Sequence, residues 1–116
     1  NIKCFSSLGQ FLYYNCINNV DVVVGNSSSG LYEVPSFKKP TLNIGNRQKG
    51  RMRGDSIIDC PVDKDAIVNA IYQSFKMDCS KTKNPYGSGN TSTKIIEILE
   101  SIDLSKIKLQ KHFFSI

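Results

Sequence analysis

The apolar residues of this chain occur in short runs separated by segments of helical period, which predicts alternating strands and helices. Runs rich in branched apolar residues predict three short buried strands, at residues 20–24, 40–44 and 56–60. Helices are predicted from residue 6 or 7 to about 17, from about 30 to 37, from 63 or 64 to about 75, and from 91 to about 101. This alternation predicts an α/β fold with a parallel sheet.

The predicted helices carry apolar residues at spacings that place them on one face. These residues are Leu8, Phe11, Leu12 and Ile17 in the first helix, Ala66, Ile67, Ala70, Ile71 and Phe75 in the third, and Ile95, Ile96, Ile98 and Leu99 in the last. Pro35 predicts an irregularity in the second helix, because proline lacks the N–H that a helix needs. Residues 77–90 are polar and predict a long connection. Three strands with these helices make about half of a doubly wound sheet.

The chain of 116 residues suits one domain, and its formal charge of +5 bears on its partners. Basic residues are densest at 47–53, and a second group lies near the end, at Lys106, Lys108 and Lys111. The aromatic residues do not alternate with the basic ones, and no nucleic-acid-binding module is recognisable. We therefore expect the surplus charge to lie on solvated surfaces, and we predict no nucleic-acid partner.

The cysteine spacing argues against several kinds of site. Cys4, Cys16, Cys60 and Cys79 are widely separated, without the close pairs of a zinc site or the pattern of a disulfide framework. This usage predicts reduced thiols, a cytoplasmic protein, and neither metal nor cofactor. No apolar run approaches the roughly 20 residues that cross a bilayer, so we predict no membrane association.

The most distinctive chemistry follows the first predicted strand. There the chain continues as Gly25, Asn26, Ser27, Ser28, Ser29 and Gly30. The first N–H groups of a helix lack partners within it and carry partial positive charge, so hydroxyls and glycines at this point predict an anion pocket. The same residues also make ordinary turns and helix caps, which is the alternative interpretation.

A second loop is expected beside the first. Ligands of parallel α/β sheets bind beyond the carboxyl ends of the strands. At those ends the hydroxyl-rich segment 25–30 follows the first strand, and the arginine-containing segment 45–53 follows the second. The two loops therefore predict one crevice whose chemistry suits a nucleoside diphosphate.

Longer segments around these loops resemble a known family. Residues 25–37 (GNSSSGLYEVPSF) and 40–51 (PTLNIGNRQKGR) are similar to the hydrolysing UDP-N-acetylglucosamine 2-epimerases of sialic acid and related nonulosonic acid pathways. Residues 84–90 (NPYGSGN) resemble the family's turn before its C-terminal helix. The segments occur in the family's order and spacing, over nearly the whole chain. The non-hydrolysing epimerases carry a different version of both loops, so the resemblance favours the hydrolysing branch.

This resemblance implies the C-terminal part of a longer protein. Its two Rossmann-like domains would face each other across a cleft, in the GT-B arrangement of UDP-glycosyltransferases and glycogen phosphorylase. Residues 1–116 would form the later part of the UDP-binding domain, with 91–116 as its C-terminal helix and tail and with the N-terminal domain absent. That domain, a UDP-sugar substrate and further copies of the protein are the implied partners.

Position by position, the resemblance implies UDP-binding roles for Ser27, Ser28, Ser29, Gly30, Glu33 and Arg47. Ser27 and Ser28 would donate hydrogen bonds to the diphosphate, and the planar fork of Arg47 would pair with phosphate. Glu33 would accept from the ribose hydroxyls, because a carboxylate offers two acceptor oxygens to a diol. From the residues alone, Glu33 could instead complement a helix dipole, and Arg47 could be a solvated loop cation.

The implied reaction converts UDP-N-acetylglucosamine and water to N-acetylmannosamine and UDP, by elimination of UDP and addition of water. Its acid/base groups would lie upstream, so we predict no catalytic residue here and no turnover by this part alone. Three alternatives stay open: an epimerase of a related sugar such as UDP-N,N'-diacetylbacillosamine, a GT-B glycosyltransferase, and a stand-alone nucleotide-binding module.

The remaining charged residues are expected to serve structure and solubility. Arg51 is a plausible neighbour of the site, whereas Lys49 and Arg53 are expected to be surface charges. His112 is expected to lie on the surface or to pack within the tail. Capping and solubility are expected to account for Asp55, Asp59, Asp63 and Asp65.

Overall fold

The computed structural model describes residues 2–107. Its helices are α1 (Gly9–Asn19), α2 (Ser29–Tyr32), α3 (Lys64–Lys76) and α4 (Thr91–Ser101), and its strands are β1 (Val23–Gly25), β2 (Thr41–Ile44) and β3 (Ile57–Cys60). Two short 3₁₀ turns lie at Val34–Phe37 and Leu104–Lys106. The predicted elements are confirmed, with ends that differ by a few residues. Most of the predicted basic tail, including His112, lies outside the described residues.

The three strands form one parallel sheet in the order β1-β2-β3. In its register, Val23 pairs with Thr41, and Thr41 pairs with Ile57. β1 begins at Val23 rather than at the predicted residue 20. β2 begins opposite Val23, so the earlier residues have no strand beside them in the part of the chain that the structure describes.

Helices pack against both faces of this sheet. Successive residues of a strand point to opposite faces, so Thr41 and Leu42 mark the two sides of β2. Thr41 contacts Gly30 of α2, whereas Leu42 is buried with Ala70 of α3. The core on the α3 side also contains Cys60 and the partly buried Ile44, Ile58, Ala66, Ile67 and Ile71. An open three-stranded parallel sheet with helices on both faces has the architecture of a Rossmann-like half domain, so the predicted α/β fold class is confirmed.

The buried face of α1 differs from the predicted one. Phe11 and Leu12 belong to the predicted apolar face of this helix, but their side chains are 79% and 56% exposed. The inward face consists of the partly buried Tyr13 and Tyr14 and of the fully buried Ile17, which follow one another at helical spacing. The prediction was wrong because hydrophobicity alone selected Phe11 and Leu12, whereas the helix turns tyrosines toward α2.

The predicted second helix is divided into α2 and the 3₁₀ turn Val34–Phe37. Pro35 lies at the start of this turn, where its missing N–H cannot continue the hydrogen bonds of α2. The turn ends at Lys38, whose backbone is left-handed with φ of 54°. The predicted irregularity is confirmed, and it limits α2 to four residues.

Helix α3 begins where the sequence predicts. The Asp63 carboxylate accepts a hydrogen bond from the Ala66 backbone N–H at 2.9 Å, which caps the helix. Phe75, predicted to be buried, is 59% exposed. The 13 residues of α3 extend about 20 Å, whereas the 4 residues of β3 extend about 13 Å. Ser74 in the same turn is 1% exposed, so the last turn is covered on the side of Ser74 and Phe75 points away from it.

Helix α4 has its predicted bounds, and all of its residues are exposed. Its apolar side chains are each at least half exposed: Ile95, Ile96, Ile98 and Leu99. Nothing among residues 2–107 covers this face. The helices in the described part of the chain include none long and apolar enough to cross a membrane.

Candidate functional site

The two predicted site loops meet at the carboxyl ends of β1 and β2. Asn26 follows β1, and its backbone carbonyl accepts hydrogen bonds from two side chains of the loop that follows β2. Arg47 donates through Nη1 at 3.2 Å, and Gln48 donates through Nε2 at 2.6 Å. The predicted neighbourhood of the hydroxyl-rich and arginine-containing loops is therefore present, with Asn26 as the point of contact.

Gln48 was missed by the sequence reasoning. It lies within a basic, polar run that predicts an exposed loop, but its side chain is only 1% exposed. Its Oε1 atom is buried without a hydrogen-bond partner among the described residues. Gln48 therefore joins the two loops from inside the molecule, while its neighbour Arg47 is exposed to solvent.

The serines of the first loop play different local roles. The Ser27 hydroxyl accepts from the Ser29 N–H at 3.3 Å, and the Ser27 carbonyl accepts from the Gly30 N–H at 3.2 Å. These bonds form the turn into α2. Ser27 is exposed and Ser28 is partly exposed, so both hydroxyls face accessible space. Because α2 has only four residues, its dipole is smaller than the predicted longer helix would provide.

Gly30 is required by packing. A Cβ atom at this position would lie 2.6 Å from Cγ2 of Thr41, inside van der Waals contact. The Thr41 hydroxyl also donates to the Gly30 carbonyl at 3.0 Å. The close approach of α2 to β2 therefore accounts for glycine at this position without any ligand.

Glu33 lies at the end of α2, and its carboxylate is held by side chains of α1 and α2. The Tyr14 hydroxyl donates to Oε1 at 3.1 Å, and the Ser29 hydroxyl donates to Oε2. The Tyr13 hydroxyl lies 2.5 Å from the Ser29 hydroxyl. The structure thus brings Ser29 and Glu33 together, and it adds two tyrosines that the sequence reasoning did not single out. Their signal in the sequence was the helical spacing from Gln10 to Ile17.

A pocket of about 580 Å³ lies between α1 and Glu33. It is lined by Phe5, Ser7, Leu8, Gly9, Gln10, Tyr13, Tyr14 and Glu33. Aromatic and apolar surface with a few polar groups is typical of sites for small organic ligands. A carboxylate has about four lone-pair sites, so the bonds from Ser29 and Tyr14 leave acceptor positions for ligand hydroxyls.

Arg51 and the turn at residues 84–90 contact Tyr32, the last residue of α2. The Arg51 guanidinium lies 5.4 Å from the centre of the Tyr32 ring, and the Tyr86 ring meets Tyr32 edge-on at 4.2 Å. The Tyr86 hydroxyl donates to the Met52 carbonyl at 3.1 Å. The pKa of the Tyr86 hydroxyl is raised, mainly because the group is desolvated and to a smaller extent because Tyr32 lies beside it. Asn84 donates to the Tyr32 carbonyl at 2.7 Å and fixes the turn against α2.

The surface charges Arg53 and Asp59 also make contacts that the sequence did not predict. Arg53 forms an ion pair with Asp59, with Nε and Oδ2 2.5 Å apart. The other carboxylate oxygen of Asp59 accepts from Asn43, which is 1% exposed, at 2.6 Å. Arg53 and Asp59 therefore connect the second loop to β2 and β3, because the buried Asn43 amide needs an acceptor. Lys49 is exposed, as predicted.

The fold and the site define the class of protein as a Rossmann-like half domain. It has a hydroxyl-rich loop after its first strand and the carboxylate of Glu33 close to that loop. Comparison with known proteins then gives the family. Residues 1–100 match the family described as UDP-N-acetylglucosamine 2-epimerase. The chain belongs to this epimerase family, and the resemblance seen in its loops is confirmed.

Individual relatives agree with this placement. The polysialic acid biosynthesis protein P7 of Escherichia coli is 40% identical over an alignment that covers 99% of this chain and 33% of that protein. The UDP-N,N'-diacetylbacillosamine 2-epimerase (hydrolyzing) of Legionella pneumophila is 38% identical, over 96% of this chain and 29% of its own length. The UDP-N-acetylglucosamine 2-epimerase of Neisseria meningitidis is 27% identical, over 97% of this chain and 30% of its own length. The chain therefore spans about a third of the length of these relatives.

Proposed function

We propose that this chain is the C-terminal, nucleotide-binding part of a hydrolysing UDP-N-acetylglucosamine 2-epimerase. The whole protein would convert UDP-N-acetylglucosamine and water to N-acetylmannosamine and UDP, for sialic acid synthesis. Membership of the epimerase family favours this function over a glycosyltransferase and over a stand-alone binding module. The observation that carries the nucleotide-binding role is the Glu33 carboxylate, which lines a pocket and accepts a hydrogen bond from Ser29 of the hydroxyl-rich loop.

In this proposal the ligand extends from the pocket across the loop. The ribose hydroxyls donate to Glu33, and the diphosphate accepts from Ser27 and Ser28. Arg47 already contacts the carbonyl of Asn26, the residue before Ser27, so its guanidinium lies at the start of the hydroxyl-rich loop. A guanidinium has five N–H donors, and one bond to Asn26 leaves others for phosphate. Ser29 and Gly30 complete the site by holding Glu33 and by letting α2 approach the sheet.

These groups serve the leaving group of the reaction. Elimination of UDP places negative charge on the departing diphosphate, and preorganised N–H and O–H donors stabilise that charge. Proton transfer near C1 and C2 of the sugar needs separate acid/base residues, which we assign to the part of the protein upstream of this chain. We therefore expect this part of the protein to bind UDP and to have no turnover by itself.

The first test is a calorimetric titration of UDP into the full-length protein and its variants. Ser28→Ala, Glu33→Ala and Arg47→Ala are each expected to weaken UDP binding by about fivefold or more, the loss of one hydrogen bond to a charged partner. Lys49→Ala is the matched control, because this exposed cation lies in the same loop and has no assigned contact with UDP.

The control separates specific contacts from the general charge of the loop. If Lys49→Ala weakens binding as much as Arg47→Ala does, loop charge rather than a defined phosphate contact accounts for the effect. If the folded wild-type protein binds no UDP, the proposed function is wrong.

A second candidate is the 2-epimerase of UDP-N,N'-diacetylbacillosamine, which acts on a related UDP-sugar. The relative with that name in Legionella pneumophila is 38% identical to this chain, whereas the UDP-N-acetylglucosamine 2-epimerase of Neisseria meningitidis is 27% identical. Both substrates share the UDP group that this chain would bind. UDP release from each sugar nucleotide by the full-length protein distinguishes them, and the substrate with the higher kcat/KM is the physiological candidate.

The exposed helix α4 suggests where the rest of the protein contacts this part. Ile95, Ile96, Ile98 and Leu99 form an apolar face that residues 2–107 leave uncovered. In our proposal this face packs against the N-terminal domain of the same protein, and the whole protein forms a homo-oligomer. Hydrogen exchange of the full-length protein would show α4 protected if this packing is correct, and sedimentation would give the oligomeric state.

A further inference from the structure

Two chains of hydrogen bonds run from α1 to the Glu33 carboxylate. In one, Gln10 Nε2 donates to the Tyr14 hydroxyl at 3.3 Å, and that hydroxyl donates to Glu33 Oε1 at 3.1 Å. In the other, the Ser29 hydroxyl donates to Glu33 Oε2, and the Tyr13 hydroxyl lies beside Ser29. A serine hydroxyl has a single proton, which the carboxylate receives, so Tyr13 is the donor to Ser29.

The ring of Tyr14 packs against two other aromatic rings. The ring centre lies 5.4 Å from that of Phe37 and 6.2 Å from that of Tyr13, both in tilted contacts. Tyr14 is partly buried, and it links α1 to the 3₁₀ turn through Phe37 as well as to Glu33. The position of its hydroxyl is therefore determined by the packing of two elements rather than by the carboxylate.

We propose that Tyr14 is a positioning residue that orients Glu33 for a vicinal diol. Each carboxylate oxygen receives one hydrogen bond from the protein, on Oε1 from Tyr14 and on Oε2 from Ser29. Each oxygen then keeps one further lone-pair site, so the group offers two acceptors side by side. This inference rests on the proposed function, in which the ribose of UDP supplies the diol.

The physical reason for such a residue is the flexibility of glutamate. A Glu side chain that is free in a pocket loses rotamer freedom when it binds a ligand, and this loss weakens binding. A carboxylate that is already oriented by Tyr14 does not incur that loss. Removal of the Tyr14 hydroxyl should therefore weaken only those interactions that pass through Glu33.

The test measures UDP and 2'-deoxy-UDP binding to the full-length protein by calorimetry. Tyr14→Phe keeps the ring contacts and removes only the hydroxyl. It is expected to weaken UDP binding by about three- to tenfold, the range of a single hydrogen bond. Its effect on 2'-deoxy-UDP should be smaller, because that ligand lacks one of the two hydroxyls. In a Glu33→Ala background, Tyr14→Phe should have no further effect.

Tyr72→Phe is the matched control, since Tyr72 lies on α3 with 64% of its surface exposed. It should leave both affinities unchanged, and thermal unfolding of each variant checks that the fold is intact. The inference is overturned if Tyr14→Phe binds UDP as wild type does while Glu33→Ala binds it weakly. It is also overturned if Tyr14→Phe weakens binding equally in the Glu33→Ala background. Failure of the wild type to bind UDP overturns the proposed function and this inference together.

Discussion

Substitution of Gly30 by alanine tests the close contact between α2 and the sheet. The added Cβ would lie 2.6 Å from Thr41 Cγ2, whereas two carbon atoms pack comfortably at about 3.5–4.0 Å. Thr41 is 2% exposed and lies on the central strand β2, paired on both sides, so it has little room to move. Overpacking of this kind costs about 1–3 kcal/mol. Alanine recovers about 0.5–1 kcal/mol as a better helix former, so we expect a net destabilisation of about 1 kcal/mol and at most about 2.5 kcal/mol.

The methyl group of Thr41 can be tested separately from its hydroxyl. Thr41→Ser removes Cγ2 but keeps the hydroxyl that donates to the Gly30 carbonyl. The nearest remaining atoms of residue 41 would lie 3.6 and 3.7 Å from the new Cβ, which is ordinary contact. Thr41→Ser should therefore rescue Gly30→Ala, with a favourable coupling of about 1 kcal/mol or more. Thr41→Val keeps a methyl group at this position and loses the hydrogen bond, so it should give no rescue.

The assay is urea unfolding of the full-length protein, followed by circular dichroism, for wild type, the single variants and the two double variants. A Gly30→Ala protein that is as stable as wild type would refute the packing argument, because helix propensity alone would then decide the outcome. Equal rescue by serine and valine would refute the assignment of the clash to Cγ2.

Three further predictions concern the Asp63 cap of α3, the buried side-chain amide of Gln48 and the thiol of Cys79. Asp63→Ala should lower the free energy of unfolding by about 1 kcal/mol, because the hydrogen bond from the Ala66 N–H is lost. Asp63→Asn should retain most of the stability, since asparagine also caps helices. Equal stability of the two variants in urea unfolding would contradict the role of Asp63 as a cap. Gln48→Glu replaces the donor to the Asn26 carbonyl by an acceptor and should lower the free energy of unfolding by about 1–3 kcal/mol in the same assay. An unchanged urea midpoint would exclude the buried hydrogen bond between Gln48 and Asn26. Burial raises the pKa of the Cys79 thiol, which disfavours the reactive thiolate. Mass spectrometry after iodoacetamide treatment at pH 8 should therefore find Cys79 unmodified in the folded protein and modified in urea, and rapid labelling without urea would show that the thiol is accessible.

Much of the fold could be predicted because its signals are local. Apolar runs predicted the strands, since burial in a parallel sheet favours branched apolar residues, although β2 also buries Thr41 and Asn43. Asp63 predicted the start of α3, because its carboxylate satisfies an N–H only three residues away. Pro35 predicted the break after α2 by the absence of its own N–H. The loop residues carried the family resemblance for a similar reason, as their order along the chain is visible without any structure.

The faces of the helices could not be predicted in the same way. Phe11 and Phe75 were expected in the core and are exposed, because hydrophobicity says which side chains favour burial but not where a neighbour is available. Gln48 gave no signal at all, since its burial depends on the Asn26 carbonyl 22 residues away. Arg53 was expected to be a surface charge, but its ion pair with Asp59 could not be predicted, because Asp59 belongs to a different element.

The sequence by itself determined the elements, the parallel α/β class and the identities of Ser27, Ser28, Glu33 and Arg47 as candidate ligands. Only the tertiary structure decided that Tyr14 meets Glu33, although these residues belong to different helices. Periodicity and capping act within a few residues and can be read along the chain, whereas the direction of a carboxylate depends on side chains brought together by packing.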